Sequence, residues 1–185
     1  MFRLLIGSVL ALTALAGCGE RDPAQASCTA GNEYGCMEWG RKLVYGDGVD
    51  KDVEMGLMWI QDSCNKGATE GCALLGMIYH QGDGVNPDFG LAMNYFDQAC
   101  NRGDAVACLT KGMIYLNGMG TVRDPTVAKP LLEKACALED QDACAVWSMV
   151  DECERGSQEN CAALEEIRQK ALAGYHGPPA PAPSS

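Results

Sequence analysis

Residues 64–100 read CNKGATEGCALLGMIYHQGDGVNPDFGLAMNYFDQAC, and this stretch decides the fold. Cys72, Leu75, Gly76 and Tyr79 fall at i, i+3, i+4 and i+7, which gathers them on one face of a helix. Leu91, Ala92, Tyr95, Phe96 and Ala99 make a second face of the same kind. Between the two lies Gly82-Asp83-Gly84-Val85-Asn86-Pro87, a cluster of turn residues that no helix crosses. The unit is therefore helix, Gly-rich turn, helix, and Gly76 in mid-helix predicts a place where the two helices approach closely.

Working outward, the unit recurs. Cysteine pairs start at Cys28, Cys64, Cys100 and Cys136, a step of 36 residues, with partners eight positions on at Cys36, Cys72, Cys108 and Cys144. A fifth pair, Cys153 and Cys161, comes early. Gly40, Gly76 and Gly112 keep the same period, as do the pairs Gly46/Gly48, Gly82/Gly84 and Gly118/Gly120, and Asp52, Asp88 and Asp124. A fixed period of this length marks a stacked array, so the expected fold is all-α, an α/α solenoid. First helices of each unit are predicted over 32–45, 68–81, 104–117 and 141–154, and second helices over 53–65, 89–101 and 125–137. The repeat domain spans 28–174, with units at 28–63, 64–99 and 100–135, and a truncated fourth at 136–152. Residues 153–174 follow, in which Glu159 to Gly174 forms an amphipathic helix suited to closing the open end of the stack.

Ten cysteines admit disulfides, metal thiolates or a reduced core. The C-x2-C spacing of zinc sites is absent, and an exported chain sits in an oxidising compartment, so disulfides are expected. Each second helix ends near one cysteine and the next helix begins near its partner, so short loops join Cys28 to Cys36, Cys64 to Cys72, Cys100 to Cys108, Cys136 to Cys144 and Cys153 to Cys161. In the chain-entropy description each such bridge stabilises by roughly 2.5 kcal/mol. Five together reach on the order of 10 kcal/mol, the net stability of a typical domain. No cofactor or metal is expected, and with His80 and His176 as the only histidines a multi-histidine site is excluded.

Export is read from the N-terminus. Residues 1–17 have a short positive start and an apolar run from Leu4 to Ala16, too short to span a bilayer, as in a signal peptide. The run closes on Leu15-Ala16-Gly17-Cys18, which resembles the lipobox of bacterial lipoproteins, with Cys18 as the lipidated residue. Acyl chains there would anchor the protein in a membrane, and the resemblance to enterobacterial lipoproteins, in which an Asp after the cysteine favours the inner membrane, implies with Gly19 there the outer membrane, facing the periplasm or the cell surface. Residues 18–27 are expected to be a lipidated tether, and 175–185, Pro-rich from His176 on, a disordered tail. With 14 Lys plus Arg against 25 Asp plus Glu and a net charge of −11, the 185-residue chain is poorly suited to nucleic acid.

The motif Leu75-Gly76-x-x-Tyr79, then Gly82-x-Gly84-Val85, Asp88, Ala92, Phe96 and Ala99, resembles Sel1-like repeats, relatives of the tetratricopeptide class. The eight-residue cysteine spacing is similar to that of the disulfide-rich, Hcp-type cysteine-rich proteins. The resemblance implies a right-handed superhelix and two kinds of activity. Many members hold protein partners, and some are penicillin-binding proteins with slow β-lactamase activity.

For hydrolysis, Ser63 and Lys66 match S-x-x-K, in which the lysine helps to deprotonate the serine. Cys64 inside the motif belongs to a bridge, and neither S-D-N nor K-T-G occurs. For partner binding, the groove-facing positions of the tetratricopeptide class map onto Tyr34, Met37, Arg41, Tyr45, Glu70, Met77, His80, Gln81, Leu109, Met113, Leu116 and Asn117. Methionines repack against varied apolar ligands. The expected function is a membrane-anchored envelope repeat protein that holds a peptide or protein partner in its concave groove, non-catalytic, with weak β-lactam hydrolysis as the alternative.

Overall fold

The computed structural model describes residues 21–177 and 179–180. Cys18, the leader before it and residues 181–185 lie outside the described residues. Among the described residues the elements are α1 (Pro23–Thr29), α2 (Glu33–Tyr45), α3 (Val53–Lys66), α4 (Thr69–Gln81), α5 (Phe89–Asn101), α6 (Ala105–Asn117), α7 (Pro125–Ala137), α8 (Gln141–Glu154) and α9 (Gln158–Ala173), with no strand. The fold is an α/α solenoid in which α2/α3, α4/α5 and α6/α7 are hairpins and successive hairpins stack.

The periodic residues have separate mechanical jobs. Asp52, Asp88 and Asp124 are N-caps of α3, α5 and α7, each accepting backbone N–H bonds in the first turn. Gly82 ends α4 in the left-handed region, at φ 82°, where its N–H donates to the Ile78 carbonyl. Gly76 faces the ring of Phe96, and a Cβ there would lie 2.8 Å from ring carbons, so the expected close approach is present. Pro130 sits inside α7 without ending it.

The prediction for these caps is local. Asp88 Oδ1 accepts from the Leu91 N–H at 2.9 Å. Asp88→Ala should therefore cost about 1 kcal/mol, read as a lowered urea midpoint, while Asp88→Asn should keep most of it.

All five expected bridges form, with Cα–Cα separations from 4.3 to 4.9 Å. Each joins the end of one helix to the start of the next, so the sulfurs hold the stacking angle between hairpins. The largest core cluster runs through successive units and includes Ile60, Leu75, Ile78, Phe96 and Ile114, with Cys64, Cys72, Cys100 and Cys108 buried among them. Burying side chains of this size contributes about 1.5–3 kcal/mol each.

Two terminal expectations need correction. The span expected as a tether, 18–27, contains the start of α1. Asp22 caps that helix by accepting from the Ala24 N–H, Pro23 opens it, and the Cys28–Cys36 bridge ties it to α2. Lys42 Nζ also reaches Asp22 at 2.8 Å. Pro23 sits in the first turn, where its missing N–H costs nothing. At the other end, the span expected as a disordered tail begins with Tyr175, which packs on His80 with ring centroids 4.8 Å apart.

The capping expectation for Glu159 to Gly174 corresponds to α9. After the short fourth unit the chain turns back, so α9 packs on α8 and also on α6. Leu164 is buried against Leu116, Leu132 and Val150 in a second cluster.

Candidate binding groove

First helices also meet one another and the terminal helix, α2 touching α4 and α6 touching α9. Between α4, α6 and the end of α9 lies a cavity of about 290 Å³, its rim formed by Met77, Gln81, Thr110, Met119, Lys170 and Tyr175. Its lining mixes apolar thioethers and aromatic edges with a few hydrogen-bonding groups, the usual make-up of a small ligand pocket.

The twelve expected groove residues divide. Tyr34, Tyr45, Glu70, Met77 and Gln81 are exposed. Arg41, Leu109 and Met113 are half-buried. Met37, His80, Leu116 and Asn117 are buried, which corrects their expected exposure. Met37 packs into the cluster shared by successive hairpins, and Leu116 lies under α9. A face that would be open in an isolated unit is covered here by the neighbouring unit or by the returning terminal helix.

His80 shows the cost of that covering. Its Nε2 lies 3.0 Å from the Met119 carbonyl, which only accepts, so Nε2 carries the proton. Phe89 and Tyr175 flank the ring. Burial pushes its pKa down from the ordinary 6.5, opposed by the bond to Met119. A depressed histidine leaves the unfolded chain binding more protons, so stability is complete above pH 6.5 and falls as pH drops below it. Urea unfolding between about pH 6.5 and 5 should show this slope in the wild type and a flatter one in His80→Gln; equal slopes would remove the assignment.

Other side chains position the inner face. Tyr45 donates to Asp83 Oδ2 at 2.9 Å, joining the first unit to the turn of the second, and burial with that bond pushes its hydroxyl up to about 12. The Arg41 guanidinium is forked onto Glu38 and holds that carboxyl below its usual range. Arg41 is thus occupied by Glu38 on its own helix and by Asp47 just beyond the helix end.

Ser63 is fully buried and donates to the Glu33 carbonyl at 2.7 Å, tying α3 to the start of α2. Lys66 pairs with Asp62 at 2.7 Å on the surface. The hydroxyl is spent on a carbonyl with no room for a substrate, so the S-x-x-K match is a structural coincidence. Among the described residues no group of His, Cys, Asp or Glu is arranged to hold a metal ion.

The groove wall from Lys170 to Tyr175 escaped sequence reasoning. Its only signal was an aromatic residue directly before a Pro-rich run, and placing it requires knowing that α9 folds back.

Comparison with known proteins agrees with the repeat fold. The family model described as Sel1 repeat matches residues 34–67, 69–104 and 107–140, more than half of the chain. The solved Sel1 repeat protein from Oxalobacter formigenes is 27% identical with a TM-score of 0.56, over 68% of this chain and 94% of that one. Helicobacter pylori cysteine rich protein B is 26% identical with a TM-score of 0.52, over 65% of this chain and 86% of that one. A protective antigen of uropathogenic Escherichia coli with an SLR fold shares the fold at 24% identity and a TM-score of 0.60, over 82% of this chain and 32% of its own. No curated protein matches the chain. Matched on three consecutive hairpins, and carrying in each the cap, turn and close-approach glycine described above, the chain belongs to the Sel1 repeat family.

Proposed function

We propose that this protein is an envelope scaffold that holds an extended segment of a partner protein along the inner face of its stack. The observation that carries this reading is the cleft between α4, α6 and α9, where exposed Met77 and Gln81 adjoin Met119 and Lys170. Exposed thioethers beside hydrogen-bonding groups suit a peptide whose backbone and side chains are both read. The five disulfides fit folding in an oxidising, extracytoplasmic compartment. Among the described residues no helix is long and apolar enough to cross a membrane. Lipidation of Cys18 would then supply the anchor, in the outer membrane and facing the periplasm or cell surface.

A photo-crosslinking side chain placed at Met77 or Gln81 tests the groove in living cells, with Met58 on α3 as the comparison site. Met58 is 57% exposed and outside the cleft. Adducts at Met77 and Gln81 that are missing at Met58, and lost on Met77→Glu, are expected; the same adducts at all three positions would remove the groove. Met113 is unsuitable for a charge, because it packs against the second cluster.

A further inference from the structure

A second cavity, of about 340 Å³, lies on the other side of Tyr175, between the end of α6, the turn at 118–123, α9, and Pro179 and Ala180 of the C-terminal run. Asn117, Arg123 and Arg168 line it together with Thr121, Leu172 and Tyr175. Asn117 is 1% exposed, yet neither its Nδ2 nor its Oδ1 has a hydrogen-bond partner among the described residues. Arg168 Nε is likewise buried without a partner. A buried polar group left unpaired costs about 1–3 kcal/mol, so such a group calls for a partner. The repeat does not demand it: the equivalent residues one and two units earlier are Gln81 and Tyr45, both exposed.

The charges narrow the ligand. Arg123 Nε donates to the Leu116 carbonyl at 2.9 Å, which fixes its guanidinium at the cavity wall. Arg168 Nη1 donates to Glu165 at 2.7 Å. Glu165 pairs with Arg168 and is held below its usual range by bonds from Gln169 and Arg168 and by the fields of Arg168 and Arg123. Two guanidinium groups against one carboxylate leave a local excess of positive charge in a chain whose net charge is −11. A cation is therefore repelled and a carboxylate welcomed. A carboxylate alone would not finish the site, because Asn117 Oδ1 needs a donor and an ionised carboxylate offers none. A peptide group supplies one N–H and one C=O, the complement of a side-chain amide.

We propose that this cavity binds a carboxylate-bearing peptide segment, with the carboxylate at Arg123 and Arg168 and the adjoining peptide group on Asn117. The site stands apart from the groove beyond Tyr175, and either can fail alone.

The test follows the side-chain amide of Asn117 and the Nε–H of Arg168 by NMR in the intact mature protein. The probes are acetyl-Ala-Ala-Ala as free acid, the same peptide as its C-terminal amide, acetyl-Ala-Glu-Ala amide, and inorganic phosphate. Saturable shifts with at least one of the two acidic peptides are expected, at least about tenfold tighter than with the neutral amide. The tighter of the two acids identifies a chain terminus or a side chain as the source of the carboxylate. Arg168→Gln should weaken the acid about tenfold, and Arg168→Lys less. Asn117→Leu gives a second readout, since removing an unpaired amide should raise the unfolding midpoint while abolishing peptide binding. No saturable shift by about 10 mM, equal binding of acid and amide, or phosphate binding as tightly as the peptides would overturn the proposal. A lowered midpoint in Asn117→Leu would do so as well.

Discussion

Reducing the five disulfides should unfold this protein at a temperature where the oxidised chain is fully helical. Each bridge closes an eight-residue separation and contributes roughly 2–3 kcal/mol by restricting the unfolded chain. Together they approach the whole net stability expected of a domain this size. A single-bridge comparison makes the effect specific. Cys64 and Cys72 are fully buried, and the Cys64 carbonyl also accepts from Arg102 Nη1 at 2.8 Å. Cys64→Ala with Cys72→Ala should lose about 3 kcal/mol, combining the lost loop constraint with a small void. Cys153→Ala with Cys161→Ala, where both residues are half-buried at the end of the stack, should lose less. Urea unfolding followed by far-UV circular dichroism measures all three. A reduced wild type whose transition stays within about 1 kcal/mol of the oxidised one would show that the hydrophobic core suffices without the bridges.

Gly40→Ala should be as damaging as the loss of a bridge, from one added methyl group. A Cβ at Gly40 would sit 2.5 Å from the Gly56 carbonyl oxygen and 2.6 Å from Ile60 Cγ1. The reverse contact is equally tight, since a Cβ at Gly56 would lie 2.7 Å from the Gly40 carbonyl. Backbone cannot rotate out of the way as a long side chain can, so α2 and α3 would have to separate. Alanine's better helix propensity returns about 1 kcal/mol, and overpacking against rigid backbone costs about 3, so the net effect is a loss of about 2 kcal/mol. Gly76→Ala should be similar, because the Phe96 ring it meets is 1% exposed and enclosed. Gly174→Ala is the control: its nearest neighbours are 3.8 Å away, and the change should stay within about 0.5 kcal/mol. Equal midpoints for Gly40→Ala and Gly174→Ala would contradict the close packing of the hairpin.

Much of the fold was legible because its determinants are local. Asp88 caps the helix that begins one residue later, Gly82 ends the one before, and Cys64 meets Cys72 across a short loop. The helix boundaries and the bridge pairing needed no knowledge of distant residues. The groove was legible only in part for the opposite reason. Met77 and Gln81 are exposed as expected, but His80 and Asn117, on the same faces of their helices, are buried by residues far along the chain. Tyr175 covers His80 from 95 positions away.

The amino-acid order alone determined the all-α repeat, its period, the turns and the sulfur links, because caps, breakers and eight-residue loops act over a few positions. Only the tertiary structure decided which inner residues face solvent, that Ser63 is a buried tie between helices, and that α9 returns over α6. Those outcomes depend on which surfaces meet when the stack closes, and burial is a property of neighbours that a local pattern does not name.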